Sequence, residues 1–207
     1  MKKIVYRCLL LFCIVSLGLG LTACNEAEPS QAPGEDVETP ASDELSDDIF
    51  SLMFSLDGVV YTLPVPFAEL EANGWEGYDG YEGYDYDLAA QTIYPGQWTG
   101  AVISNEGQIL IAGFINLGEE VLPVNESHVE AVSIPRYDGN DIQLIFPGNI
   151  MRGSTYEDVL EAHGEPSERL EGDESIDLAY EAEHVTIWIA IDKETNSVVY
   201  MSMRVMD

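Results

Sequence analysis

The fold is decided largely by one stretch, residues 175–205, which reads SIDLAYEAEHVTIWIAIDKETNSVVYMSMRV. In its middle part, large aliphatic side chains recur at every second residue, which is typical of a β-strand that has one face in a core. We assign one set of side chains to the inner face and the other set to the opposite face: Val185, Ile187, Ile189 and Ile191 inward, and Thr186, Trp188 and Ala190 outward. The polar run 192–196 is a hairpin connection. We therefore predict three antiparallel strands, Ser175–Tyr180, His184–Ile191 and Ser197–Val205.

A short helix precedes these strands, in the run GSTYEDVLEAHGEP of residues 153–166. Ser154 can cap it, and Glu157 three residues later completes a capping box. Apolar side chains follow at helical spacing, and Gly164 and Pro166 end the helix.

This helix followed by a three-stranded meander resembles the unit of small envelope lipoproteins of the SmpA/BamE type, and is similar to one half of the β-lactamase-inhibitor-protein fold. The resemblance covers about 55 residues, beginning at Gly153. It implies protein–protein binding rather than catalysis. It carries over no partner-contacting residue, because nothing outside the scaffold positions matches.

The preceding half of the folded region has a similar order of elements. The pattern predicts a strand over residues 50–56, a hairpin turn at Asp57-Gly58, a return strand over 59–63 and a helix from Pro66 to Gly74. Three strands follow, over residues 88–94, 98–104 and 108–116. We therefore expect an α+β fold with antiparallel sheets and short helices, in two tandem helix-plus-meander units at 49–135 and 136–207. Duplication and chance similarity both explain the parallel between them.

Between that helix and those strands lies an unusual loop, Trp75–Asp87, which reads WEGYDGYEGYDYD. Its glycine content excludes a helix. One hypothesis is a partner-binding surface, because tyrosine gives contact area at low entropic cost; its residues are Tyr78, Tyr81, Tyr84 and Tyr86. A second is a calcium loop built from Asp79, Glu82, Asp85 and Asp87, although the spacing departs from the EF-hand pattern. A third is a low-complexity insertion without a specific role.

The N-terminus gives the predicted location. Lys2, Lys3 and Arg7 precede an apolar stretch that is too short for a permanent membrane span, so residues 1–23 are typical of a secretory signal peptide. The segment ends in Leu21-Thr22-Ala23-Cys24, which resembles the bacterial lipobox. The resemblance implies cleavage before Cys24, diacylation of its sulfur with fatty acids such as palmitate, and a lipoprotein anchored to the cell membrane outside the cytoplasm. Residues 24–48 then form an acidic, proline-interrupted, disordered tether.

Composition limits the function further. The chain has 8 basic and 38 acidic residues, a formal net charge of −30, which excludes binding to nucleic acid through its phosphates and favours a cationic protein partner. His128, His163 and His184 are scattered, and we find no nucleophile–base–acid set and no phosphate-binding glycine loop. We therefore expect a non-catalytic binding or scaffold lipoprotein without a cofactor. A calcium-binding envelope module is the alternative.

Overall fold

A computed structural model describes residues 44–78, 87–136 and 142–206, and these residues all lie in one compact unit. They form two α-helices, α1 (Phe67–Glu71) and α2 (Tyr156–His163), and 3-10 turns at Ile49–Ser51, Val124–Glu126 and Pro147–Asn149. In chain order the strands β1 to β15 are Met53–Leu56, Val59–Thr62, Val65–Pro66, Glu76–Gly77, Thr92–Ile93, Trp98–Asn105, Gln108–Ile115, Leu122–Pro123, His128–Ser133, Leu144–Phe146, Ile150–Met151, Glu168–Glu171, Ser175–Ala182, Val185–Asp192 and Ser197–Val205. No helix in these ranges is long and apolar enough to cross a membrane.

The larger sheet has nine antiparallel strands. Its order is β12-β13-β14-β15-β9-β7-β6-β4. β15 pairs with residues 131–133 of β9, and β3 pairs with residues 128–129 of the same strand. The predicted meander of residues 175–205 is confirmed as β13, β14 and β15, with Ile189 of β14 opposite Leu178 and Met201. A smaller sheet has the order β11-β10-β1-β2, and β5 pairs with β8 alone.

The hairpin at Asp57-Gly58 is also confirmed. Both residues have positive φ, 52° and 83°, which lets two residues reverse the chain between β1 and β2. The predicted strand that enters it is shorter than expected, because Leu52 takes φ 59° and separates a 3-10 turn from β1. Phe50 is consequently 37% exposed, although its alternation with Phe54 would place both on the buried face of one continuous strand.

One core lies between the sheets. The inner face of the larger sheet contributes Ile189, Met201 and Leu110, the smaller sheet contributes Phe54, and both helices add apolar side chains, such as Leu70 of α1. The helices and the smaller sheet therefore cover the same face of the larger sheet.

The predicted caps need correction. Thr155, not Ser154, caps α2: its hydroxyl accepts a hydrogen bond from the Asp158 N–H at 3.1 Å, and the Asp158 carboxylate accepts one from the Thr155 N–H at 2.8 Å. Glu157 takes no part in this box, because the helix begins one residue later than the pattern indicated. The strand predicted from Leu88 is wrong in its first part, where residues 88–90 form a turn.

The expected α+β class is wrong: the fold is largely β. Strands hold 49% of the described residues and helices of all kinds 15%, so the helices form no layer of their own. α1 has five residues and α2 eight, and four strands rather than three follow α2, because Glu168–Glu171 adds β12 at the sheet edge. The predicted helix-plus-three-strand units therefore do not describe this fold.

The division into units at 49–135 and 136–207 stays a prediction. Strands from its two sides pair directly in both sheets: β9 with β15 in the larger sheet, and β1 with β10 in the smaller one.

Candidate functional site

The structure describes only part of residues 75–87, which we call the tyrosine loop. Tyr78 is half-buried at the loop's start, and its N–H donates to the Val102 carbonyl at 2.9 Å, beside the edge of the larger sheet. Tyr81, Tyr84 and Tyr86 lie outside the described residues, as does Cys24. The predicted partner-binding and lipidation residues therefore stay predictions.

The calcium hypothesis has one described residue, Asp87. Its carboxylate accepts hydrogen bonds from the N–H groups of Ala89 and Ala90, both at 3.1 Å, and so stabilises a turn. The other three residues, Asp79, Glu82 and Asp85, lie outside the described ranges. Within residues 44–78, 87–136 and 142–206 no three His, Cys, Asp or Glu side chains are grouped so that they could hold a metal ion.

A different surface stands out: the face of the nine-stranded sheet opposite the core, which we call the outer face. Strand register and alternation place on it the following larger side chains: Trp98, Val102, Ile109, Ile111, Leu170, Trp188, Tyr200 and Arg204. None of them belongs to the core cluster. Trp98 is 50% exposed and Leu170 46% exposed, while Trp188 and Tyr200 are half-buried.

Trp98 lies flat against the sheet because two glycines pair beneath it. Gly100 of β6 is opposite Gly113 of β7, and a Cβ on Gly113 would come within 2.7 Å of the indole nitrogen. The guanidinium carbon of Arg204 lies over the indole, 5.0 Å from its centre, which gives a cation–π contact. The indole is therefore held between backbone and guanidinium with half of its surface in water.

Arg204 is held in place by Glu130. The two side chains form an ion pair, with 3.4 Å between Nη2 and Oε1, and the Glu130 side chain is only 6% exposed. Glu130 lies at the irregularity where the β7–β9 register shifts after Gly113, which turns its side chain toward Arg204. A buried carboxylate requires such a partner, because desolvation of an unpaired charge is costly.

A second arginine repeats the arrangement further along the face. Arg136 lies over Tyr200, 5.1 Å from the ring centre, and pairs with Asp177 at 3.4 Å. Ser175 donates a hydrogen bond to the same Asp177 oxygen at 3.2 Å. Two of the eight basic residues of this acidic chain are therefore stacked on aromatic rings of one sheet face.

His163 packs edge-to-face on Tyr180 at 5.8 Å between ring centres, and burial lowers the pKa of its imidazole, although the backbone of Ala162 and Pro147 acts in the opposite direction. Tyr180 donates its hydroxyl to the Gly164 carbonyl at 3.1 Å, and burial raises its pKa to about 12. These residues join the end of α2 to the sheet.

Comparison with known proteins gave no match: no family model, curated protein or solved structure is similar to this chain at a significant level.

Sequence reasoning placed Trp188 on the face opposite the core but did not recognise that face as a site. A signal for it was present, because Tyr200, Ser202 and Arg204 alternate with Met201 and Met203 in the same way. The pairing of Gly100 with Gly113 depends on register, which a single sequence does not give.

Proposed function

We propose that this chain is a lipid-anchored, non-catalytic lipoprotein of the bacterial envelope that binds a protein partner through the outer face. One observation carries the proposal: an open sheet face bears Trp98, Trp188 and Tyr200, with Arg204 and Arg136 stacked on two of these rings. An antiparallel sheet with one face in water normally shows polar side chains on that face. Here the face carries three large aromatic side chains among its polar ones, and Trp98 is 50% exposed.

The residue types also favour a protein partner. Tryptophan, tyrosine and arginine are the types that dominate the energy of protein interfaces. Trp98 is already held by Gly113 and Arg204, so its ordering on binding would lose little conformational entropy. The tyrosine loop starts beside Val102 on the same sheet, so its predicted role would extend this surface.

Site-specific cross-linking tests the binding role. A photoreactive amino acid at Ser202 of the full chain, expressed in a bacterial envelope, should give a cross-linked product of defined mass. The same group at Glu194, in the β14–β15 hairpin, should not give it. Trp98→Ala should remove the product, whereas Tyr94→Ala should retain it, because Tyr94 is 56% exposed but lies outside the sheet strands. Equal products at both positions would refute the assignment of the face.

Fractionation tests the anchor separately. Cys24→Ser should release the protein from the membrane fraction and abolish acyl labelling, since a lipid chain contributes roughly 0.8 kcal/mol per buried CH₂. A Cys24→Ser protein that still carries acyl chains would disprove lipidation at this position.

A further inference from the structure

The centre of the outer face has a floor of small residues. Register puts Trp188 opposite Ser202, Ser202 opposite Ser133, and Ser133 opposite Ile111 on four adjacent strands. Ser202 and Ser133 both keep partial solvent exposure between these two large neighbours. Three strand spacings of about 4.8 Å put Trp188 and Ile111 about 14 Å apart. We call this area the serine floor.

The serine floor is bordered in the strand direction too. Tyr200 precedes Ser202 by two residues on β15, and Arg204 follows it by two, so both point to the same face. Each belongs to one of the two arginine–aromatic pairs. Register therefore places the two serines between larger side chains, and the spacing between those side chains suits one inserted side chain rather than a strand or helix.

The charges of the face divide into a neutral centre and an acidic rim. In the centre, Arg136 pairs with Asp177 and Arg204 pairs with Glu130. Toward the edges, exposed carboxylates follow on the same face: Glu168 beside Ala179, Glu181 beside Thr186 and Glu76 beside Ser104. The rim therefore favours a partner that brings positive charges to the edges of the contact.

We propose that the partner surface projects one aromatic anchor residue into the serine floor and presents lysines or arginines to the rim carboxylates. This inference rests on the proposed function, of which it names the partner's chemistry. A second copy of this chain is disfavoured, because it would bring the same acidic rim and a net charge of −30.

A designed peptide is the probe. It carries one central Trp flanked by Lys on both sides in a Gly/Ser background, and its affinity for the full chain with Cys24→Ser is measured by fluorescence anisotropy. Replacing the peptide's Trp by Ser should weaken binding about tenfold, the effect of losing an interface anchor. An unchanged affinity would overturn the anchor.

Two pairs of protein variants test the location. Glu168→Gln with Glu181→Gln should weaken binding at least fivefold, whereas Glu161→Gln with Glu194→Gln removes equal charge elsewhere and should change it less than twofold. Ser133→Phe, which fills the serine floor, should make the Trp peptide and its Ser variant bind with equal affinity. Ser46→Phe should leave the difference between the two peptides unchanged. Equal effects within either pair would show diffuse attraction to the acidic chain and overturn the proposal.

The outcome separates the two proposals. If cross-linking at Ser202 succeeds and the peptide tests fail, the face binds a partner of other chemistry and only this inference falls. If Ser202 gives no specific product, the proposed function falls. Concentration-dependent dimers that Trp188→Ser disrupts would identify a second copy as the occupant and overturn the inference.

Discussion

Gly113 is the residue on which the outer face depends most sharply. An added Cβ would lie 2.7 Å from the Trp98 indole nitrogen and 2.9 Å from the Ala131 Cβ, so Gly113→Ala forces the indole off the sheet. We expect a loss of about 1–3 kcal/mol in the free energy of unfolding, as in other overpacked sites. Urea unfolding followed by tryptophan fluorescence measures it.

Gly100 supplies the matched control for this prediction. Its added Cβ would meet Trp98 at 3.4 Å, an ordinary contact, and alanine restricts the unfolded chain. Gly100→Ala should therefore be neutral or slightly stabilising. Similar losses for the two variants would mean that Trp98 does not lie on these glycines.

His163 makes stability depend on pH. Burial lowers the pKa of its imidazole below the ordinary value of 6.5, so the unfolded chain takes up this proton before the folded one. The contribution of His163 to the free energy of unfolding is fully present above pH 6.5. It is lost as the pH falls toward the lower pKa of the imidazole in the folded state. His163→Phe, which keeps an aromatic ring beside Tyr180, should flatten the dependence of unfolding free energy on pH in that range. An unchanged slope would contradict it.

At the scale of elements, α2 depends on its N-terminal cap. Thr155→Ala removes the acceptor for the Asp158 N–H, and we expect a loss of about 0.5–2 kcal/mol in the free energy of unfolding. Thr155→Ser keeps a hydroxyl and should retain most of that stability. Chemical denaturation compares the two variants. If both are as stable as the parent chain, the hydroxyl does not cap the helix.

Strands with a clear alternation could be predicted from the sequence, and those without one could not. β14 has an inward-facing apolar residue at every second position, and the structure confirms the predicted pairing of this strand with β13 and β15. β12 reads ERLE with all four residues exposed, so no burial pattern marks it, and it forms because β13 offers an unpaired edge. The error in fold class follows from this: short strands held by tertiary pairing were read as loops.

The candidate site shows the same limit. Residues on one strand, such as Tyr200 and Arg204, can be assigned to one face from the sequence. The stacking of Arg204 on Trp98 brings together strands that are three places apart in the sheet, and Glu130 reaches Arg204 only through a register shift. Pairings of this kind depend on sheet order, which alternation does not encode.

For the whole molecule, the division of the chain can be tested by proteolysis. Because strands from both sides of residue 135 pair within both sheets, limited subtilisin digestion of the full chain should trim it to a product that begins near residue 48, where the predicted acidic tether ends, and then stall. Mass spectrometry identifies the product. Early cleavage near Pro135 into two stable fragments would instead support two independent units.

The net charge of −30 also gives the chain a general response to cations, against which calcium binding must be judged. Asp87 already uses one carboxylate oxygen to cap a turn, so we expect millimolar calcium and magnesium to raise the melting temperature equally, through screening of self-repulsion. A specific site would instead stabilise the native state by about 2.7 kcal/mol at a hundredfold excess of ligand over its dissociation constant. Thermal unfolding at matched ionic strength distinguishes the two. A shift with calcium alone, lost in Asp79→Asn with Asp85→Asn, would make the acidic loop a calcium site and favour a cation-binding module over the partner-binding protein proposed above.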